Sequence, residues 1–237
     1  MIARGADVRL ALIGGARLHY ARRMSNRRVA KIVEVDNSGR PRQEDTYHRV
    51  LDAAVELLRE TKYSNLTVRA IAARAQLSPA TAYNYFKSKN GLIAELYLRL
   101  VRTVPLFVDV NQTTHERIIQ EIHALAMLGA YEPEVAAATT TALMGDEEEL
   151  KPLREQIGIE VRRRLTAALG PGMPLSVLSA VEFVFYGALV RAGTGSLGYD
   201  TVASRLDGVI ALILQAPNED RVAPTPAPRR RSVKVRG

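Results

Sequence analysis

Between Thr67 and Tyr97 the chain reads TVRAIAARAQLSPATAYNYFKSKNGLIAELY, and the side chains there able to do chemistry are hydroxyls, an amide and a cation. Thr81, Tyr83, Asn84 and Tyr85 follow one another closely, set among small Ala80 and Ala82. Such a segment, if helical, suits a DNA major groove: small residues permit close approach while hydroxyls and amides meet phosphates and base edges. Ser78 is a good N-cap, and Pro79 fits the first helical turn, where its missing N–H is no loss. Ser88 caps the next helix and leaves Lys89 beside free backbone N–H groups, a ready place for a phosphate. Thr67, at the head of the stretch, completes this set of candidate contacts.

The elements that must position these groups are legible in the spacing. Val68, Ile71, Ala72 and Ala75 make one apolar stripe that stops at Gln76-Leu77, and a second short helix begins at once. That is a helix-turn-helix. A third helix carries Leu92, Ile93, Leu96 and Leu100 on its buried side. Upstream, the pattern predicts a helix from about Glu44 to Arg59, with Val50, Leu51, Ala54, Val55, Leu57 and Leu58 buried and with Glu44 and Asp45 at its positive end.

With LDAAVELL, TVRAIAARA and LSPATAYNYFKSKNGLI in this order, the run from Val50 to Tyr97 resembles the DNA-binding domain of the TetR family of bacterial transcription regulators. Tyr83, Tyr85, Phe86 and Lys89 stand in the order that family uses. Two departures are visible: Gln76 stands where a turn glycine is common, and Lys62 where a glycine often ends the first helix. A non-glycine residue at positive φ costs on the order of 1 kcal/mol. Ser38-Gly39-Arg40-Pro41-Arg42 is similar to the basic arm preceding the first helix in many such proteins. Its Arg40 and Arg42 could lie in a narrow minor groove, and the stretch reads equally as a solvated linker.

Charge supports the division. The 237 residues carry a formal net charge of +8, distributed as +7 over 1–43, +3 over 44–102, −6 over 103–216 and +4 over 217–237. A basic arm (1–43), a helix-turn-helix domain (44–102), an acidic helical domain (103–216) and a basic tail (217–237) follow, the two ends reading as disordered. Met24 offers a second start, so residues 1–23 are either an upstream extension or part of the working protein. The acidic domain is no nucleic-acid platform.

Catalysis finds no support. The chain has no cysteine, which excludes disulfides and thiolate chemistry and fits a reducing cytoplasm. His19, His48, His115 and His123 show no ligand spacing, and no catalytic motif or phosphate-binding loop is present, so neither an enzyme, a metal nor a cofactor is expected.

The acidic domain reads as helices over 114–129, 134–144, 150–169, 175–192 and 200–216. The segment from Leu175 to Ala192 is apolar on nearly every side and needs burial on more than one face. It is short for a membrane span and carries Glu182 near its middle, which argues against a membrane role. A second copy of the chain would cover the remaining face, giving a homodimer. The family resemblance implies the same, with the last two long helices at the interface and each recognition helix on one half of a palindrome. It also implies a cavity whose occupancy lowers operator affinity. Met127, Tyr131, Met144, Phe183 and Tyr186 are the candidate lining, and their character suggests a hydrophobic, lipid-like effector. The expectation is an all-α repressor of a double-stranded DNA operator. The alternative is a helical dimer that binds small molecules or partners and uses the helix-turn-helix only for packing, in which case Ala80 to Tyr85 would be shielded from solvent.

Overall fold

The computed structural model describes residues 40–106, 109 and 111–215, so most of the expected arm and the whole expected tail lie outside the described residues. Among the described residues the architecture is all-α, with nine α-helices and no strand. In chain order these are α1 (Arg40–Glu60), α2 (Val68–Arg74), α3 (Pro79–Tyr85), α4 (Lys89–Thr103), α5 (Thr114–Tyr131), α6 (Pro133–Leu143), α7 (Leu150–Leu169), α8 (Leu175–Gly193) and α9 (Val202–Gln215). Short 3-10 turns at Tyr63–Asn65 and Tyr199–Thr201 precede α2 and α9.

Local chemistry sets the helix starts. Thr67, Ser78, Ser88 and Thr113 each accept a hydrogen bond from the backbone N–H three residues on, opening α2, α3, α4 and α5. Each such cap stabilises its helix by about 1 kcal/mol. Thr113 and Glu116 form a reciprocal capping box. α1 departs from expectation: it begins at Arg40, earlier than Glu44, and no acidic residue lies in its first turn. Nothing between Arg40 and Glu44 breaks a helix, and Pro41 is tolerated in a first turn. The backbone of Arg40-Pro41-Arg42 is therefore helical, not an extended arm.

α1 buries Val50, Leu51, Ala54 and Leu58 against α4, which contributes Leu92, Ile93, Leu96 and Leu100. The same apolar cluster continues without interruption through α5, α7 and α8 to Ile210 on α9. α4 is thus shared between the helix-turn-helix and the rest of the bundle, packing on α1, α6 and α7. Two glycines allow close approaches: a Cβ on Gly129 would fall 2.4 Å from the ring of Tyr199, and one on Gly193 would fall 1.9 Å from Oγ1 of Thr140.

One side of the bundle is left uncovered. α8 is long and apolar enough to cross a membrane by length and composition alone. Here it packs against α6, α7 and α9 and buries Leu178, Val181, Phe185, Ala188 and Ala192. Its other face repeats at alternating intervals of four and three: Ser176, Ala180, Phe183, Gly187 and Val190. Phe183 is 77% exposed, Val190 38%, and on neighbouring α9 Leu212 is 69% exposed.

Candidate nucleic-acid interface

The turn between α2 and α3 is a complete Schellman motif. The N–H of Gln76 bonds to the carbonyl of Ala73 at 3.0 Å, and that of Leu77 to Ala72 at 2.9 Å. Gln76 takes the left-handed position, with φ 56°, the one non-glycine positive φ among the described residues. Lys62, the other departure noted in the sequence, has φ −69° and carries no such strain. From α1, Arg49 Nη2 donates to the carbonyl of Ala75 at 2.6 Å, satisfying an acceptor at the end of α2 and tying the turn to the first helix.

α3 lies on this turn through small residues. Ala82 is fully buried against Val68 and Ala72, so it belongs to the inner face and not to the outer one where the sequence pattern had set it. Small side chains at this contact bring the two short helices close. Phe86 follows α3 into the core and stacks on Tyr47, with ring centroids 5.3 Å apart. Tyr47 in turn donates its hydroxyl to Glu95 Oε2 at 2.8 Å. Burial, reinforced by that carboxylate, pushes the Tyr47 phenol far above its ordinary range, so it remains a donor.

What α3 turns outward is Pro79, Ala80, Tyr83 and Asn84, with Tyr83 50% exposed. Thr81 is half-buried, its hydroxyl 2.8 Å from that of Ser78, and Ser78 also caps the helix. Tyr85 is half-buried and leans on the core, leaving Tyr83 and Asn84 as the exposed polar side chains of α3. Thr67 caps α2 through its oxygen and is itself exposed. Lys89 is engaged within the chain: Nζ donates to the Tyr63 carbonyl at 3.0 Å and sits 4.2 Å from the centre of the Tyr63 ring. The side chains of Arg40 and Arg42 lie outside the described structure. Arg69 on α2 and Lys87 between α3 and α4 are exposed cations that the motif reading passed over. Lone basic residues beside two helix caps were the available signal.

The five residues expected to line an effector cavity are not gathered around one. Met144 is 65% exposed just beyond α6, and Phe183 points outward from α8, because the apolar spacing that suggested a lining also describes an uncovered face. Phe183 and Tyr186 instead border an open groove of about 280 Å³ between α7 and α8, with Ile159, Gly158 and the Arg162–Glu182 ion pair. Met127 and Tyr131 are half-buried on α5, away from that groove's lining. Among the described residues no cluster of histidines and carboxylates could hold a metal.

Comparison with known proteins bears on this arrangement. The model of a family described as bacterial regulatory proteins, tetR family, matches residues 50–96, the span from α1 through α4. Over 180 residues the chain is 48% identical to an uncharacterized HTH-type transcriptional regulator of Mycobacterium tuberculosis, Rv0767c, covering 75% of this chain and 84% of that one. It is 25% identical over 178 residues to the HTH-type transcriptional repressor KstR of Rhodococcus jostii, covering 73% and 84%. Among solved structures, a TetR transcriptional regulator from Rhodococcus sp. RHA1 shares the fold with a TM-score of 0.63 at 18% identity, over 74% of this chain and 99% of that one. FadR from Bacillus subtilis, in complex with stearoyl-CoA, does so with a TM-score of 0.55 at 19% identity, over 73% and 100%.

Proposed function

Because the chain belongs to the TetR family of bacterial regulatory proteins, we propose that this helix-turn-helix transcriptional regulator is a homodimeric repressor whose α3 reads each half of a palindromic operator. The observation that carries the reading is the outward pair Tyr83 and Asn84 on a helix fixed by the Gln76 turn and the Ser78 cap. The rival reading, in which α3 serves packing alone, requires that segment to be shielded; Ala82 is, while Ala80, Tyr83 and Asn84 are exposed, which favours the reader.

Dimerisation is assigned to the uncovered stripe of α8 and the neighbouring apolar side chains of α9. Four-and-three spacing is the pattern of helices packed nearly parallel in a bundle. Gly187 and Gly208 have open space where a Cβ would stand, so a partner's helix can approach closely there. The proposed DNA contacts are Thr67, Ser78, Pro79, Ala80, Thr81, Tyr83, Asn84, Tyr85 and Lys89, joined by Arg69 and Lys87 as phosphate contacts, with Arg40 and Arg42 at the start of α1. Residues 44–102 act as the DNA-binding domain, and 103–216 as the effector-binding and dimerisation domain. The protein works in the cytoplasm without catalysis.

Release by a small hydrophobic effector fits the same scheme. An effector that binds one head arrangement better than the other shifts the operator equilibrium by its differential affinity. A fold neighbour binding stearoyl-CoA and a relative described as a repressor support an acyl-bearing ligand and a repressing role. The test is a gel shift with DNA flanking the protein's own coding region, at physiological salt with excess competitor. The proposal expects one fragment to be retained by two chains per site, and released by a long-chain acyl-CoA. Retention of random DNA just as well would overturn it.

A further inference from the structure

α6 is bracketed by two carboxylates that do not serve it. Glu132 stands at its N-cap position, yet the side chain makes no bond to the helix's own N–H groups. It is 4% exposed and turns to Arg59 near the end of α1, whose Nε donates to Oε2 at 2.9 Å and whose Nη2 donates to Oε1. A bidentate fork of this kind fixes direction as well as distance. Beyond the other end of α6, Glu147 accepts a hydrogen bond from Nδ2 of Asn90, in the first turn of α4. The Asn90 Oδ1 accepts the hydroxyl of Tyr63, in the turn before α2. Both faces of the amide are therefore used, and Lys89 ties the same tyrosine through its carbonyl.

α6 thus reaches the helix-turn-helix head from both ends. Its last carbonyl and the loop after it are held by α7, where Arg154 Nη1 donates to the carbonyls of Leu143 at 3.1 Å and Gly145 at 2.7 Å. Between the two ends its buried side chains are mostly small: Ala136, Ala138, Thr139 and Ala142 beside Val135. Shallow ridges set the distance to α4 but oppose sliding little. Directional bonds at the two ends fix what the small residues leave free.

We infer that Glu132 and Glu147 are positioning residues for operator half-site spacing. They fix the orientation of the head on the dimerising frame, and through the two-fold axis they set how far apart the two α3 helices stand. The inference rests on the dimeric regulator proposed above. One added base pair moves a half-site by roughly 3.4 Å and turns it by about 35° around the DNA. A small freedom in each head therefore appears as tolerance of spacing.

The experiment is selection from a random double-stranded DNA pool by the full chain and by Arg59→Met, Glu147→Ala and the double variant. Arg59 is half exposed and Glu147 lies in a loop, so neither change removes an apolar core contact, and Arg59→Met frees the buried Glu132 carboxylate from its fork. The wild type should enrich inverted repeats at one spacing. The double variant should enrich the same half-site at several spacings, its preference over one extra base pair falling from about tenfold to about threefold or less. A second readout is the head-to-head distance between spin labels at Lys87→Cys, the chain having no other cysteine. The distribution should be narrow in the wild type and broadened in the double variant. Unchanged spacing and unchanged distances would overturn the inference, as would a lowered melting temperature with spacing preserved. Failure of the wild type to enrich any inverted repeat would instead overturn the dimeric-reader proposal itself.

Discussion

Arg164 on α7 and Glu121 on α5 form an ion pair inside the bundle, Nε to Oε1 at 2.6 Å, with 2% and 0% of their side chains exposed. Arg164 Nη2 also donates to the carbonyl of Pro105 at 2.9 Å, just past the end of α4. One guanidinium therefore joins the central helices to the segment leaving the shared helix. Removing one member of a buried pair leaves an uncompensated charge, whereas replacing both with apolar residues is often nearly neutral. Arg164→Met should lower the unfolding free energy by about 3–5 kcal/mol, and Arg164→Met with Glu121→Leu should recover most of it. Urea denaturation of the four proteins in this cycle checks the prediction.

Gln76 holds a left-handed conformation that glycine adopts without strain. Gln76→Gly should relieve on the order of 1 kcal/mol of strain, partly offset by the greater freedom of glycine in the unfolded chain. A melting temperature raised by a few degrees, with DNA binding unaltered, is the expected result of a thermal scan.

The turn strain was legible because a stop in one apolar stripe and the start of another left room for no other connection. The caps at Ser78 and Ser88 were equally legible, being local signals. Ala82 was misplaced because a small residue in a seven-residue helix fits either face, and only its packing on Val68 and Ala72 decides. Apolar spacing likewise marks a face to be covered without saying by what, and Met144 and Phe183 stand exposed in the single chain. The ties from Arg59 to Glu132 and from Asn90 to Glu147 join residues 73 and 57 positions apart, and no local pattern announces them.

Phe183 is the most exposed large apolar side chain of α8. Phe183→Asp should leave the monomer folded but separate the dimer, because a charge would be buried in the proposed interface. Sedimentation equilibrium should show the monomer mass at concentrations where the wild type is dimeric, and operator binding should fall in parallel.

His123 on α5 is pushed below the usual imidazole range by burial. The unfolded chain therefore binds more protons than the folded one near and below the ordinary value of 6.5, so stability is retained above it and falls as the pH drops through it. Urea midpoints should be lower at about pH 5 than at about pH 7, and His123→Gln should remove part of that difference.

The proposed reading of base edges by outward side chains of α3 is best tested by measuring wild type, Tyr83→Ala and Asn84→Ala on the enriched operator and on random DNA at one salt concentration. At least one substitution should weaken operator binding by roughly 5- to 100-fold while binding to random DNA stays within about twofold. Equal losses on both DNAs, or none on the operator, would contradict it.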